Sequence, residues 1–97
     1  MKKVNIIFDD VLEDVDIIAV PDEVEAVIES LGQEFLNWIP ETDDSDYWTI
    51  INGKKCNNAE TDGFIKWLNS TYCFKTEKAY VLERNTIYCD QYKIIEF

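Results

Sequence analysis

Two periodicities of hydrophobic residues divide this chain into predicted strands and helices. The run KKVNIIF at residues 2–8 is rich in β-branched and aromatic side chains, which favour a strand. A polar break that contains Asp9, Asp10 and Glu13 follows, and VDIIAV at residues 15–20 then predicts a second strand. The chain is therefore expected to open with a pair of strands.

A helix is predicted over residues 22–38, where apolar residues recur at intervals of three and four positions. Pro21 suits its first turn, and Pro40 ends the pattern because proline cannot continue a helix. The polar face of this helix carries acidic residues on successive turns: Asp22, Glu25 and Glu29. Like charges at this spacing repel one another at a small cost.

The middle of the chain predicts a hairpin and a second helix. YWTII at residues 47–51 is strand-like, and the Asn-Gly dipeptide that follows is a strong signal for a tight hairpin turn. Asn57 and Glu60 have the spacing of a capping box, which predicts the start of an amphipathic helix over residues 59–70.

Three strand-like runs close the chain, at residues 78–82, 86–89 and 92–97. Because short loops separate them, they predict an antiparallel meander. The whole pattern predicts an α+β fold, with two amphipathic helices packed on one face of a mainly antiparallel sheet. The length of 97 residues suits a single compact domain over residues 1–97.

Charge is distributed unevenly along the chain, whose net charge is −11. Residues 1–46 contain fourteen acids and two lysines, whereas residues 47–97 contain six acids and seven bases. This excess of acid disfavours direct binding to nucleic acid and to anionic membranes, because both require basic patches. The sequence contains neither a membrane-length apolar run nor the features of a signal peptide, which predicts a cytoplasmic location.

The residue types argue against catalysis. The chain has no histidine, the commonest general base and metal ligand, and it has no nucleophile or phosphate-binding motif. The acids of DDSD do not have the spacing of a calcium loop. Three cysteines at unpatterned spacings, Cys56, Cys73 and Cys89, predict structural thiols. We therefore expect a protein that is not an enzyme and that has no cofactor and no metal site.

The segment ETDDSDYW is the candidate partner-binding site. It places four acids immediately before two aromatic residues: Glu41, Asp43, Asp44, Asp46, Tyr47 and Trp48. On a strand the two aromatic side chains would lie on opposite faces, so one of them is expected to be accessible to solvent. An exposed aromatic residue with a charged rim is typical of an interface anchor, whereas a core Trp with a partly exposed Tyr is the structural alternative.

In its size, lack of histidine and acid-rich first half, the chain resembles the small acidic immunity proteins of bacterial toxin systems, including contact-dependent inhibition systems. The resemblance rests on ETDDSDYW and on the acids at Asp22, Glu25 and Glu29. It implies a one-to-one complex with a basic protein toxin, a nuclease in many members, and no enzymatic activity. Two alternatives stay open: a phage-encoded inhibitor of a host nuclease, and a non-catalytic adaptor or structural domain whose acidic surface serves solubility.

Overall fold

A computed structural model describes residues 1–8, the backbone of Val11, and residues 12–73 and 77–97. Two of the acids in the predicted polar break, Asp9 and Asp10, lie outside the described residues. In chain order, the strands and helices are β1 (Lys2–Phe8), β2 (Val11–Val20), α1 (Asp22–Glu25), α2 (Ile28–Trp38), β3 (Trp48–Ile51), β4 (Lys54–Asn57), α3 (Thr61–Thr71), β5 (Tyr80–Thr86) and β6 (Lys93–Glu96). The described part also contains two single-turn 3₁₀ helices, Ile39–Glu41 and Ser45–Tyr47.

The main sheet has four strands in the order β5-β2-β1-β6, and β3 and β4 form a separate two-stranded hairpin. Strand β2 is antiparallel to both β1 and β5, whereas β6 is parallel to β1. Helices α2 and α3 cover one face, where Val4, Ile6 and Ile18 of the sheet belong to the same buried core as Phe35 and Phe64 of the helices. The predicted α+β class with a mainly antiparallel sheet is confirmed.

The predicted C-terminal meander is wrong. Tyr80–Thr86 is one strand that lies at the edge beside β2, and β6 lies at the opposite edge beside β1. The segment between them covers the second face of the sheet, where Tyr88 and Tyr92 pack against Ile7, Val15 and Ile17. Strands β1 and β2 carry apolar residues on both faces of the sheet. The crossing segment is needed because the helices cover only one face, and the apolar residues on the other face would otherwise be exposed to solvent.

The buried Asn5 holds this crossing segment in place. Its side-chain amide donates to the carbonyl oxygen of Cys89 at 2.8 Å, and its Oδ1 accepts from the Cys89 N–H at 3.1 Å. One polar side chain thus satisfies both backbone groups of a residue that has left the sheet.

The single helix predicted over residues 22–38 is divided into α1 and α2. Val27 lies between them with φ −122° and ψ 20°, and its side chain is 50% exposed. A β-branched residue is a weak helix former, so an interruption there costs little. The consequence is that Asp22 and Glu25 lie on a different helix from Glu29.

The predicted capping box is also wrong. Helix α3 begins at Thr61, and its N-cap residue, Glu60, makes no side-chain cap. The preceding backbone approaches the first turn so closely that a Cβ atom on Gly63 would lie 2.0 Å from the carbonyl oxygen of Asn58. Glycine is therefore required at this position by the packing of chain against chain.

Candidate functional site: an acidic turn, an acidic cleft and a hairpin arm

The acidic turn, defined as residues 41–46, follows α2 and its 3₁₀ extension. Three hydrogen bonds fix it: the Asp44 N–H donates to Thr42 Oγ1 at 3.2 Å, and the Asp46 N–H donates to Asp44 Oδ1 at 2.9 Å. The third runs from the Trp48 indole Nε1 to the carbonyl oxygen of Thr42 at 2.9 Å. These three hydrogen bonds hold the backbone of the turn, and they use an oxygen of only one of its four carboxylates, that of Asp44.

The carboxylates of the turn are all exposed, but they differ in their partners. Asp46 Oδ2 lies 3.3 Å from Lys66 Nζ, in a surface pair of the kind that contributes little to stability. Among the described residues, Glu41, Asp43 and Asp44 form no ion pair. Three negative charges without an ion-pair partner in the described part of the chain therefore face solvent on a short, fixed segment.

The two aromatic residues after the turn have different environments. Tyr47 is 4% exposed and packs edge-to-face on Trp38, with 4.9 Å between ring centroids. Its burial raises the pKa of the Tyr47 hydroxyl above the ordinary value. The sequence predicts Tyr47 as the first residue of a strand, but it is the last residue of the 3₁₀ helix at residues 45–47. Its side chain therefore joins the core, and the half-buried Trp48 is the more accessible of the two aromatic residues.

The acids of α1 and of the start of α2 lie apart from the acidic turn. Asp22 Oδ1 is 3.0 Å from the Met1 amino nitrogen, and Glu25 Oε1 is 3.4 Å from Lys93 Nζ. Glu29 is exposed near the first turn of α2. Helix α2, which is about 16 Å long at a rise of about 1.5 Å per residue, separates Glu29 from the acidic turn.

The fold assembles a second group of acids that sequence reasoning missed. A cleft of about 700 Å³ is lined by Phe8, Asp14, Asp16, Glu60, Thr61, Asp62, Arg84 and Asn85. We call it the acidic cleft. Its residues come from three distant parts of the chain, so sequence spacing could not reveal it; the alternation of Asp14 and Asp16 with Val15 along a strand was the one available signal.

Two carboxylates of the acidic cleft are bound within the protein. The buried Asp16 accepts from Thr61 Oγ1 at 2.5 Å and from the Asn85 N–H at 3.2 Å. The Asp62 carboxylate accepts hydrogen bonds from two guanidinium nitrogens of Arg84, at 2.6 and 3.3 Å, and this hydrogen bonding raises the pKa of Arg84. These interactions join β2, α3 and β5, so a structural role explains them.

The β3–β4 hairpin, which we call the hairpin arm, follows the acidic turn directly. Asn52 (φ 51°) and Gly53 (φ 78°) adopt the left-handed conformation of the predicted tight turn. The side chains of Ile50 and Ile51 are 74% and 55% exposed. The sequence indicated the hairpin but did not show that its outer half would remain uncovered.

Metal-binding and redox features are not assembled in the part of the chain that the structure describes. There, no three Cys, Asp or Glu side chains are grouped so that they could hold a metal ion. The cysteines are free thiols, with Cys73 buried and Cys56 and Cys89 half-buried. Burial raises the pKa of the Cys73 thiol, which disfavours the thiolate form.

None of the helices in the described residues combines the length and the apolar character needed to cross a membrane. Comparisons of the chain with protein-family models, with curated proteins and with solved structures found no match.

Proposed function

We propose that this protein is an inhibitor of the immunity-protein kind, which binds a basic toxin, a nuclease, and blocks it with its carboxylate-rich surface. The observation that carries the proposal is the state of the acidic turn. Glu41, Asp43 and Asp44 are exposed and form no ion pair among the described residues, on a backbone that hydrogen bonds hold in place. Carboxylates arranged in this way can occupy the positions that substrate phosphates take in a basic cleft.

Electrostatics favour such a complex. A net charge of −11 attracts a basic partner over distance, and charge attraction can raise association rate constants to about 10⁸ M⁻¹s⁻¹ at low salt. An interface of about 800 Å² per partner is about 30 Å across, so an interface centred on the acidic turn is wide enough to extend along α2 to Glu29. Asp22 and Glu25 already have cationic neighbours, so their contribution is smaller.

The proposal assigns the chain no catalytic activity, no cofactor, a cytoplasmic location and a one-to-one complex with its target. Direct contact with nucleic acid or with a membrane has no part in it, because the free charges of the acidic turn would repel both.

A pull-down at low salt tests the proposal with a matched pair of variants. Glu41→Gln/Asp43→Asn/Asp44→Asn removes three charges from the acidic turn, and the asparagine introduced at position 44 retains a side-chain oxygen that can accept from the Asp46 N–H. The control, Glu13→Gln/Glu83→Gln/Asp90→Asn, removes three exposed charges elsewhere and has the same net charge. We expect the native protein and the control to retain one basic protein at equal stoichiometry, and the turn variant to lose it.

The retained protein is then assayed for nuclease activity. Inhibition that is complete at one equivalent of the native chain supports the proposal. Retention of the same protein by the turn variant, or a retained protein whose activity is unaffected, contradicts it.

An adaptor role is the second candidate, and the edge strand β5 favours it. Tyr80 and Leu82 are 49% and 39% exposed on a strand whose outer edge is unpaired in the described sheet. An added strand could pair with this edge and cover both side chains. Association of that kind would respond little to salt, whereas association through the acidic turn would slow steeply as salt rises.

A further inference from the structure

We propose that the hairpin arm is the apolar anchor of the interface, and that Ile50 and Ile51 enter an apolar slot beside the basic surface bound by the acidic turn. This inference rests on the proposed function and names the chemistry of its partner. The partner is a protein whose cationic surface is interrupted by an apolar slot wide enough for a two-stranded ribbon.

The first reason is that the aromatic anchor expected from the sequence is only partly accessible. Tyr47 belongs to the core, and Trp48 is half-buried with its indole N–H bonded to Thr42. Large apolar side chains open to solvent follow in Ile50 and Ile51, three to four residues beyond Tyr47. Interfaces of high affinity combine a charged rim with a desolvated apolar centre, and the arm supplies apolar side chains for that centre directly after the turn.

The second reason is the arrangement of the two isoleucines. In the register of the hairpin, Ile50 lies opposite Lys55 and Ile51 lies opposite Lys54. Successive residues of a strand lie on opposite faces, so each face of the arm presents one isoleucine. Ile50 is 74% exposed, whereas Ile51, at 55%, lines a concavity with Asn58 and Glu60, so one face of the outer half is open and the other is partly open. A slot that encloses the ribbon from both sides would bury both side chains together.

The third reason is continuity with the acidic turn. Trp48 and Ile50 share one face of β3, and the indole N–H of Trp48 bonds the carbonyl oxygen of Thr42 within the turn. Ile50 therefore lies about 7 Å along the strand from a residue that contacts the turn directly. A partner that covers Asp43 and Asp44 meets the base of the arm as well.

The hairpin arm is also formed before any partner binds. The left-handed conformations of Asn52 and Gly53 match the twist of a two-residue hairpin, and four residue pairs join β3 to β4. Because the ribbon is already formed, ordering it on binding costs less than folding a loop would.

The lysines of the arm refine the description of the partner. Among the described residues, Lys54 and Lys55 form no ion pair, and Lys55 Nζ lies 4.9 Å from the centre of the Trp48 ring. Their charges would repel a surface that is uniformly basic. The slot therefore ends in a neutral or acidic region, with the cationic surface confined to the side of the acidic turn.

A structural explanation of the isoleucines must be separated from this one. Isoleucine favours strands, so Ile50 and Ile51 could serve the hairpin alone. Threonine is also β-branched, and Ile50→Thr/Ile51→Thr therefore preserves the strand preference while removing most of the apolar surface. Ile87→Thr is the matched control, because Ile87 is also 74% exposed but lies outside the arm.

The probes are two synthetic peptides of equal charge, an amphipathic leucine–lysine peptide and an oligolysine peptide, titrated by calorimetry. The native chain is expected to bind the leucine–lysine peptide about tenfold more tightly, because its apolar stripe covers the isoleucine on one face of the arm. The arm variant should lose this difference and keep its affinity for oligolysine, while Ile87→Thr behaves like the native chain. The variant with three neutralised acids in the turn should bind both peptides more weakly.

The possible failures are distinguishable. If the arm variant retains the preference for the leucine–lysine peptide, or if Ile87→Thr removes it equally, the inference about the arm is wrong and the proposed function is unaffected. If the turn variant binds both peptides as tightly as the native chain, the proposed function itself fails. Circular dichroism establishes that the hairpin variants are folded, and Ile50→Thr alone replaces the double variant if that one is not.

Discussion

The acidic turn and the acidic cleft each contain four carboxylates, but the two regions use them in different ways. In the cleft, Asp16 and Asp62 are hydrogen-bonded to groups from other elements and join those elements together. In the turn, Glu41 and Asp43 have no cationic neighbour among the described residues. The difference shows that acidic composition alone does not identify a binding surface. Asp14 and Glu60 of the cleft also form no ion pair among the described residues, so what distinguishes the turn is that its unpaired acids, Glu41, Asp43 and Asp44, lie close together on one segment fixed by hydrogen bonds.

The comparison is tested most severely at Asp16, where we expect the largest loss of stability. Asp16→Ala removes both acceptors and leaves the Thr61 hydroxyl and the Asn85 N–H without their partner. We expect the free energy of unfolding to fall by about 3 kcal/mol, measured by urea denaturation. Asp14→Asn, in the same cleft but exposed, is the control and should change stability by less than about 0.5 kcal/mol. Equal losses at the two positions would show that Asp16 has no special structural role.

A smaller loss of stability is expected when the ion pair between Arg84 and Asp62, on the rim of the cleft, is removed. Arg84→Met removes two hydrogen bonds to Asp62 while preserving most of the apolar stem. Both side chains are largely exposed, so solvent and salt screen their attraction. We expect a modest decrease in the melting temperature at low salt that disappears at high salt. A decrease as large as that of Asp16→Ala would place this pair among the main supports of the fold.

The smallest effect on stability is expected in the acidic turn, and its sign is the opposite. Glu41→Gln/Asp43→Asn/Asp44→Asn relieves repulsion between like charges and retains the hydrogen bond to the Asp46 N–H. We expect the variant to be more stable by about 0.5 kcal/mol in thermal denaturation at low salt. A clear loss of stability would show that these acids serve the fold, and the contrast with the cleft would disappear.

The helices and strands that sequence patterns predicted well are those whose local and tertiary preferences agree. The run at residues 2–8 is β1, and the Asn-Gly dipeptide forms the expected turn of the hairpin arm. The periodicity of apolar residues gave no signal for the division of the first helix at Val27, and the absence of a capping box before Thr61 accompanies the close packing of the Asn58 carbonyl on Gly63. Local residue preferences carry no information about such packing.

Some features of the candidate site could likewise be predicted from the sequence, and others could not. The exposure of Glu41, Asp43 and Asp44 follows from their polarity and from the turn that Pro40 introduces, so the sequence could indicate it. The burial of Tyr47 could not be predicted, because it depends on a 3₁₀ turn that directs the ring to Trp38. The acidic cleft could not be predicted either, since β2, α3 and β5 meet there only after folding.

The most direct test of the central claim is the rate of association with the basic protein retained in the pull-down, measured by stopped flow as salt increases. The native chain and the Glu13→Gln/Glu83→Gln/Asp90→Asn control should associate rapidly at low salt and slow steeply as salt rises. The Glu41→Gln/Asp43→Asn/Asp44→Asn variant, with the same net charge as the control, should associate more slowly and with a shallower dependence on salt. If the turn variant and the control have the same rates at every salt concentration, the acidic turn is not the binding surface.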